Sequence, residues 1–391
     1  MNSAANMLSG PSRLCWGATM VILVCAQFAK GQNGPTMQTI ANKWRERQKS
    51  IQSARLAWVH RETIPKGAVS RLLLSLPPSE QKRGTDGPDL SKEIPPVDTT
   101  HDVALELCIH GDKVRHTMDD RQWSPSENRF VIKPVVQVFD GKEGKLWRPD
   151  GAPTTPYPQG VLQRRNPIGS MIYLAPLVMS LQPFSPAMRL FELDTLKLSG
   201  HTAIIGGRPC LELQHDARGR TERVWIDPSR EYQMVRYWST AKDKVWAKVD
   251  IEYGENPVCR WIPRRWTIVT FDKNGALSRS QTANLTSCEL NVPIDDAEFA
   301  LDFSPGTAVL DFRRQPTSQF IVRENGSARP VLPREAGLSY DELVHSSPGL
   351  SLGAKVGWCL VGVGMLLAGA TVVYRGRVIT KRVVSIFQHS K

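Results

Sequence analysis

Apolar and polar residues alternate in short runs along most of the chain, from about residue 54 to residue 290. In residues 245–253 the odd-numbered positions are apolar, whereas most of the even-numbered ones are charged. Residues 103–109 alternate in the same way, and a period of two is typical of a half-buried antiparallel strand. Turn pairs such as Asp140-Gly141 and Asn274-Gly275 separate the runs. Strands that follow one another without intervening helices predict a mainly β (α+β) fold built on an antiparallel sheet.

Two segments in this region depart from the strand pattern. Met37, Ile40, Trp44 and Ile51 fall on one stripe, which predicts a helix over residues 36–50. Residues 168–181 are apolar with weak periodicity and lie in a Pro-rich stretch. We interpret them as a short helix that covers the sheet.

The N-terminus, residues 1–31, has the pattern of a signal peptide. Arg13 precedes an apolar run at residues 14–29, which is too short to cross a bilayer comfortably. Small residues follow, so cleavage after Ala26 or Gly31 is expected. The alternative is an uncleaved anchor.

Near the other end, residues 356–374 form a 19-residue stretch without a charge, long enough for one transmembrane helix. Lys355 precedes it, and Arg375 and Arg377 follow it. The heavier positive side predicts a cytoplasmic tail at residues 375–391 and an extracytoplasmic, periplasmic body. A buried core helix is the alternative. Gly364 and Ala368 form a small-xxx-small pair, which allows a homodimer or a membrane-protein partner through this helix.

Net charge changes little in this picture. The chain of 391 residues carries a formal charge of +12, but seven basic residues in the two terminal segments account for most of it and leave +5. A basic excess at the ends fits membrane topology and argues against nucleic-acid binding. Between the ends we predict a β-domain at residues 37–312. A polar stretch with scattered Gly, Pro and Ser predicts a flexible linker at 313–355.

The chemistry-bearing residues give no sign of an active site. The histidines lack the spacing of a metal-binding HExxH motif, and neither GxSxG nor a phosphate-binding loop occurs. We therefore predict no catalytic residues, no metal, no cofactor and no enzyme activity. Four cysteines lie in the body of the chain, and they form either disulfides in one of three pairings or four separate buried thiols. They are Cys108, Cys210, Cys259 and Cys288.

Short fragments along the chain occur in a recognisable order. They are FDGK at 139–142, VWIDP at 224–228, IEY at 251–253, WIP at 261–263, IDDAEF at 294–299 and FSPGT at 303–307. In this order, after an N-terminal helix that leads straight into a strand, they resemble the LolA-like superfamily of outer-membrane lipoprotein carrier and sorting proteins. The resemblance covers about residues 37–312. It implies an incomplete, curved antiparallel β-barrel closed by a helical lid, with an apolar hollow that holds acyl chains.

This resemblance and the Trp-rich strands together suggest a ligand site. Bulky amphipathic rings and flexible Met side chains suit an apolar hollow, although ordinary core packing is the alternative for any one of them. The candidate ligand-binding residues are Trp58, Trp147, Met171, Leu174, Leu177, Trp225 and Trp238, with Met179 beside them. The predicted ligand is a lipid or a lipoprotein acyl chain. The rival hypothesis is an interaction or structural module of the envelope whose barrel is filled by its own side chains.

Overall fold

In the computed structural model, the residues described are 34–74, 93–124, 127, 129–152, 157–168, 171–185, 188, 193–217, 219–242, 244–332, 335 and 338–345. The predicted signal peptide, the predicted transmembrane segment and the cytoplasmic tail lie outside them. Among these described residues, no helix combines the length and apolar character needed to span a bilayer. The chain divides into two compact units, residues 1–41 and residues 42–391.

The first unit contains the start of helix α1 (Met37–Ser50), so the helix predicted over residues 36–50 is confirmed. Thr36 caps this helix, because its hydroxyl accepts a hydrogen bond from the backbone N–H of Thr39 at 3.2 Å. The other helices belong to the second unit. They are α2 (Ala68–Leu74), α3 (Ala175–Leu181) and α4 (Tyr340–His345).

The second unit is built on sixteen described strands, and the mainly β prediction is confirmed. The first six are β1 (Ser53–Ile64), β2 (Thr99–His110), β3 (Lys113–Ser124), β4 (Arg129–Phe139), β5 (Gly144–Arg148) and β6 (Gln159–Gln163). The next seven are β7 (Lys197–Ile205), β8 (Arg208–Ala217), β9 (Arg220–Asp227), β10 (Gln233–Ala241), β11 (Lys244–Asn256), β12 (Arg260–Phe271) and β13 (Leu277–Leu290). The last three are β14 (Ala308–Asp311), β15 (Ser318–Val322) and β16 (Ala328–Pro330).

These strands form one large, curved, open sheet. Strands β1–β6 make one meander and β7–β13 make a second, and the two join where β1 pairs with β13. The pairings are antiparallel except for one among the described strands, because β14 lies parallel to β6. The connection between the meanders, residues 164–196, contains α3.

Strand β1 lies at the centre of the sheet, with β2 on one side and β13 on the other. Its side chains alternate between faces, and Leu56, Trp58, His60 and Glu62 are all buried. Because alternate residues of a strand share a face, these four form one continuous row.

The predicted flexible linker at residues 313–355 is wrong over its first thirty or so residues. Strands β15 and β16 and helix α4 lie inside it. The two strands extend the sheet beyond β14, and the helix packs on it through Leu343. Ile321, Leu338 and Leu343 are buried together with Ala308 of β14, so the compact unit continues past residue 312. The strands are only five and three residues long and lie between turn residues, so alternation along them gives a weak signal.

Candidate functional site

A short segment of the connection between the meanders lies against the sheet, and we call residues 171–182 the cover segment. It consists of a 3-10 turn at Ile172–Leu174 followed by α3, with Pro176 in the first turn of the helix. The helix predicted within residues 168–181 is therefore confirmed. All seven residues of α3 are buried, and the helix contacts β10 and β12.

The beginning of the cover segment is held by hydrogen bonds from two strands of the sheet. The indole Nε1 of Trp266 on β12 donates to the backbone oxygen of Tyr173 at 3.1 Å. The Tyr173 hydroxyl donates to Met118 Sδ of β3 at 3.3 Å, and it also contacts Met171 Sδ. Tyr173 thus connects strands that are four positions apart in the sheet.

The end of the cover segment is held by Arg47, which lies in the part of α1 that belongs to the second unit. Its Nε donates to the Ser180 carbonyl at 2.7 Å, and its Nη2 donates to the Met179 carbonyl at 3.0 Å. Its Nη1 donates to the Glu231 carbonyl at 3.3 Å. Burial lowers the pKa of Arg47, and the carbonyl dipoles at the C-terminus of α3 stabilise its charge.

Beneath the start of the cover segment lies a group of five rings, which we call the inner cluster: Trp58, His60, His116, Tyr173 and Trp266. Trp58 stacks on His116 with ring centroids 6.1 Å apart and lies 6.1 Å from Trp266. Tyr173 closes the group from above, at 5.5 Å from His60 and 5.8 Å from His116. The row along β1 therefore meets the cover segment at this cluster.

Several polar atoms in and beside the inner cluster are buried and make no hydrogen bond of good geometry. They are Nε1 of Trp58, Nε2 of His60, both ring nitrogens of His116, and the amide nitrogen and oxygen of Gln137. The His116 and Gln137 side chains interact with each other, which raises the pKa of His116, but the contact falls short of a well-formed hydrogen bond. Folded proteins leave few buried polar atoms unsatisfied, and each one costs free energy of about 1–3 kcal/mol. A polar partner placed among these atoms would therefore stabilise the chain at this site.

Burial fixes the charge state of both histidines. It lowers the pKa of His60 to about 3, with the Arg279 guanidinium as a second cause, and it lowers the pKa of His116 to about 4. At neutral pH both rings are uncharged, and each offers one donor and one acceptor. The inner cluster can therefore hydrogen-bond an uncharged polar group while the rings around it contact an apolar chain.

The structure divides the sequence-predicted ligand residues among three places. Trp58, Met171, Leu174, Leu177 and Met179 are buried in the cover segment or directly beneath it. Trp147 lies elsewhere, packed with Val136 and Val138 against the segment that contains Phe299.

Trp225 and Trp238 lie in a third place, which we call the wing cluster: Cys210, Trp225, Val235 and Trp238. Their rings meet edge to face with centroids 5.0 Å apart. The prediction that all seven residues line one hollow is thus wrong for Trp147, Trp225 and Trp238. Which face of the sheet each Trp occupies depends on strand register, and turn signals alone do not set it.

Five residues of the site are not among the predicted ligand-binding residues: His60, His116, Gln137, Tyr173 and Trp266. A signal for His60 was present, because it lies two residues after Trp58 in a run of period two and must share its face. His116 lies opposite Leu107 and Gln137 in the ladders of β3, a register that sequence reasoning did not supply.

The four cysteines of the body are free thiols in the structure. Cys108, Cys210 and Cys259 are buried, and burial raises the pKa of each to about 11. Of the two alternatives left by the sequence, the structure has the separate thiols. In the part of the chain that the structure describes, no group of His, Cys, Asp and Glu side chains is arranged to hold a metal ion.

Two open clefts lie away from the cover segment. One, of about 440 Å³, is lined by Arg164 and residues 312–315. The other, of about 390 Å³, lies over Val59 and Arg61, on the opposite side of β1 from the inner cluster. The space beneath the cover segment itself is occupied by side chains of the chain, including Leu174 and Leu177, at most 1 % exposed.

No family model matches the sequence, and none of the curated proteins matches it. Solved structures do align with the chain. A LolA superfamily protein from Nitrosomonas europaea aligns at 11 % identity and a TM-score of 0.38, over 69 % of this chain and 99 % of that one. A DUF1329 family protein from Desulfovibrio piger aligns at 10 % identity and a TM-score of 0.38, over 68 % and 97 %. The lipoprotein LppX of Mycobacterium tuberculosis aligns at 9 % identity and a TM-score of 0.22, over 67 % and 99 %.

These three alignments have identities of 11 % or less and TM-scores of 0.38 or below, so they assign no family to this chain. The likeness is one of fold alone. What the chain holds in its sheet has to be argued from its own contacts.

Proposed function

We propose that the second unit binds an amphiphilic ligand, a lipid or the acyl chain of a lipoprotein, between the sheet and the cover segment. The observation that carries this proposal is the set of unpaired polar atoms buried in the inner cluster. A core shaped only for stability would be apolar or fully hydrogen-bonded at this place. A ligand with an apolar chain and a polar group would contact the aromatic rings with its chain and hydrogen-bond the unpaired polar atoms with its polar group.

Binding of this kind requires the cover segment to move, because its leucines fill the space that a chain would take. The contacts of the segment suit such a movement. It is held at its two ends by hydrogen bonds from Trp266 and Arg47, whereas the leucines between them make only apolar contacts that a ligand chain can replace. The protein acts in this proposal by binding and not by catalysis.

Photo-crosslinking of the full-length chain in isolated membranes tests the proposal. A palmitic acid analogue that carries a diazirine in its chain is added and illuminated, and the labelled peptides are identified by mass spectrometry. We expect labels in the cover segment and on the row Leu56–Trp58. Labelling confined to residues 356–374, or absent from the second unit, would contradict the proposal.

A variant pair sharpens this test. Replacing Leu174 and Leu177 with Asp puts charge where an acyl chain would lie, so we expect labelling of the second unit to fall at least tenfold. Ile204, which is 72 % exposed on β7, supplies the matched control. Ile204→Asp should leave the labelling unchanged.

A filled structural module is the second candidate, and the close packing of the cover segment favours it. Leu174, Leu177 and Leu181 are at most 1 % exposed, as in an ordinary core. In that case the double Asp substitution would lower the free energy of unfolding by several kcal/mol through buried charge, while the wild-type chain would take up no label.

We also propose that the chain is exported and tethered, with the second unit outside the cytoplasm. The support is the signal-like residues 1–31 and the charge asymmetry around residues 356–374. A reporter active only in the cytoplasm should be active when fused after Lys391 and silent when fused after His345. The reverse result would overturn the orientation.

A further inference from the structure

The buried row of side chains along β1 changes from apolar to charged toward the end of the strand. Leu56 and Trp58 are apolar, His60 is polar, and the next residue of the row, Glu62, is a carboxylate that is only 5 % exposed. Four residues of strand separate Trp58 from Glu62, about 13 Å at 3.3 Å per residue. The row therefore runs from an apolar end to a charged end, as an amphiphile does.

Two arginines converge on Glu62. Arg279 Nη1 lies 3.1 Å from Glu62 Oε1, and Arg121 Nη1 lies 3.7 Å from Glu62 Oε2. Gln281 Nε2 donates to Glu62 Oε1 at 2.9 Å, so the carboxylate is already well supplied with donors. We call Arg121 and Arg279 the arginine pair.

The hydrogen bonds of Arg121 are incomplete although its side chain is only 2 % exposed. Its Nη2 donates to Thr99 Oγ1 at 2.8 Å, and its guanidinium lies over the Phe130 ring at 3.9 Å. Its Nε and Nη1 donate no hydrogen bond. A buried guanidinium with two unsatisfied donor atoms is costly unless something else accepts from them.

The charges at this place do not cancel either. Burial lowers the pKa of Arg121 to about 10, so it remains protonated at neutral pH, and among the residues that the structure describes Glu62 is the carboxylate that favours its charge. Two guanidinium groups thus share one carboxylate, which leaves one positive charge in excess. A planar guanidinium with free N–H groups is the preferred partner of carboxylates and phosphates.

We infer that the arginine pair binds the anionic head group, a carboxylate or a phosphate, of the ligand whose chain lies over Trp58 beneath the cover segment. This inference rests on the function proposed above and names the class of ligand: a lipid with a single anionic head. Arg279 is 29 % exposed, so the head group sits at the solvent-accessible end of the row and the chain points inward.

Competition in the photo-crosslinking assay tests this inference on the full-length chain in membranes at pH 8. Unlabelled hexadecanoic acid, hexadecyl phosphate and hexadecanol share one chain and differ in the head. We expect the two anions to displace the probe at about tenfold lower concentration than the alcohol, since a charge-assisted hydrogen bond contributes about that factor. Inorganic phosphate alone should not displace it; displacement by phosphate at the same concentration would assign the site to a free anion and overturn the lipid assignment.

Three substitutions test whether the arginine pair causes the preference for the anionic competitors. Arg279→Gln, at a partly exposed position, should remove the preference for the anions and leave competition by hexadecanol unchanged. Glu62→Gln removes the carboxylate that competes with the ligand and should strengthen competition by the anions about tenfold. A general loss of folding cannot cause such a gain. The matched control is Arg61→Gln, an exposed arginine of β1 paired with Asp102.

The outcomes separate the two proposals. Two results would refute the binding of an anionic head group and leave the proposal of lipid binding intact. One is equal competition by hexadecanoic acid and hexadecanol for the wild-type chain, and the other is that Arg279→Gln behaves as Arg61→Gln does. If the probe labels no residue of the second unit, both proposals fail together.

Discussion

The inner cluster and the wing cluster are both groups of aromatic rings on the same sheet, yet their surroundings are opposite. The inner cluster is covered by Tyr173, and its histidines are at most 3 % exposed. The wing cluster carries cations instead, with Lys248 Nζ over the Trp238 ring at 4.7 Å and the Arg236 guanidinium at 5.6 Å. Each group has a buried indole nitrogen without a hydrogen bond, Nε1 of Trp58 in one and Nε1 of Trp238 in the other. The groups differ in what covers their rings, which is a tyrosine in the inner cluster and cations in the wing cluster.

This difference shows that Trp content alone does not mark a ligand site. Trp225 and Trp238 have partners in each other and in the cations beside them, which is sufficient to explain their presence. Trp58 has large aromatic contacts but an unpaired indole nitrogen among other unpaired atoms. The inner cluster therefore differs from the wing cluster in its two buried histidines with unpaired ring nitrogens, and not in its indole nitrogen, since Nε1 of Trp238 is unpaired as well.

The largest expected difference is in stability. Trp58→Ala should lower the free energy of unfolding by about 3–5 kcal/mol, because it leaves a cavity at a position that is 1 % exposed. Trp238→Ala, at a half-buried position, should cost about 1–2 kcal/mol. Chemical denaturation of both variants in mild detergent measures the two values. Equal losses would mean that the two clusters are packed alike.

Arg47→Met should cost about 2–4 kcal/mol, because three carbonyls lose a charged donor at the end of the cover segment. Hydrogen exchange should then become faster in the cover segment while β9 and β10 stay protected. Arg45→Met is the matched control on the same helix, since Arg45 is exposed and stacks on Phe184. A loss of protection spread evenly over both regions would contradict a local clamp.

The pH dependence of stability should come from the inner cluster. The pKa values of His60 and His116 are lowered from about 6.5 to about 3 and about 4, so the unfolded chain binds protons more readily than the folded one. Each histidine should therefore contribute stability that is complete above pH 6.5 and is lost at about 1.4 kcal/mol per pH unit as the pH falls toward 4.

Replacing both histidines with Gln should flatten this dependence between pH 6.5 and 4. The exposed His201, replaced with Gln, is the control and should leave the slope unchanged. A wild-type slope that survives in the double variant would place the protonation elsewhere.

The smallest effect is expected in the wing cluster. Lys248→Met removes a cation from the face of Trp238 at a partly exposed site and should cost about 0.5–1 kcal/mol. Lys244→Met on the same strand should cost less, because Lys244 is exposed and its Nζ donates to the Lys273 carbonyl at 3.4 Å. A larger loss at Lys248 than at Trp58 would reverse the comparison between the two clusters.

Elements with a clear repeat of apolar residues could be predicted from the sequence. Elements whose position depends on how the strands pair in the sheet could not. Strands β1, β2 and β11 and helix α1 were predicted because their apolar residues recur at two or at three to four positions. Strands β15 and β16 were assigned to a linker because they are short and lie among turn residues.

The candidate site was predicted in part for the same reason. The cover segment and Trp58 follow from local pattern, and His60 could have been added from alternation along β1. His116, Trp266 and the arginine pair come from β3, β12 and β13, strands whose register is set by the whole sheet. These residues lie 58 to 217 positions from the residues of β1 that they contact, so the local sequence carries no sign of the contacts.

The pairing of β1 with β13 has a consequence for how the chain folds. Ala54 lies opposite Leu290, so one edge of the central strand is without its partner until the chain has been made to residue 290. During synthesis, the meander β1–β6 can form early, but it then presents an unpaired edge next to a row of apolar side chains. Closing so distant a pair is slow, and the exposed edge meanwhile invites aggregation. We therefore expect the nascent chain to depend on a chaperone until its second meander emerges.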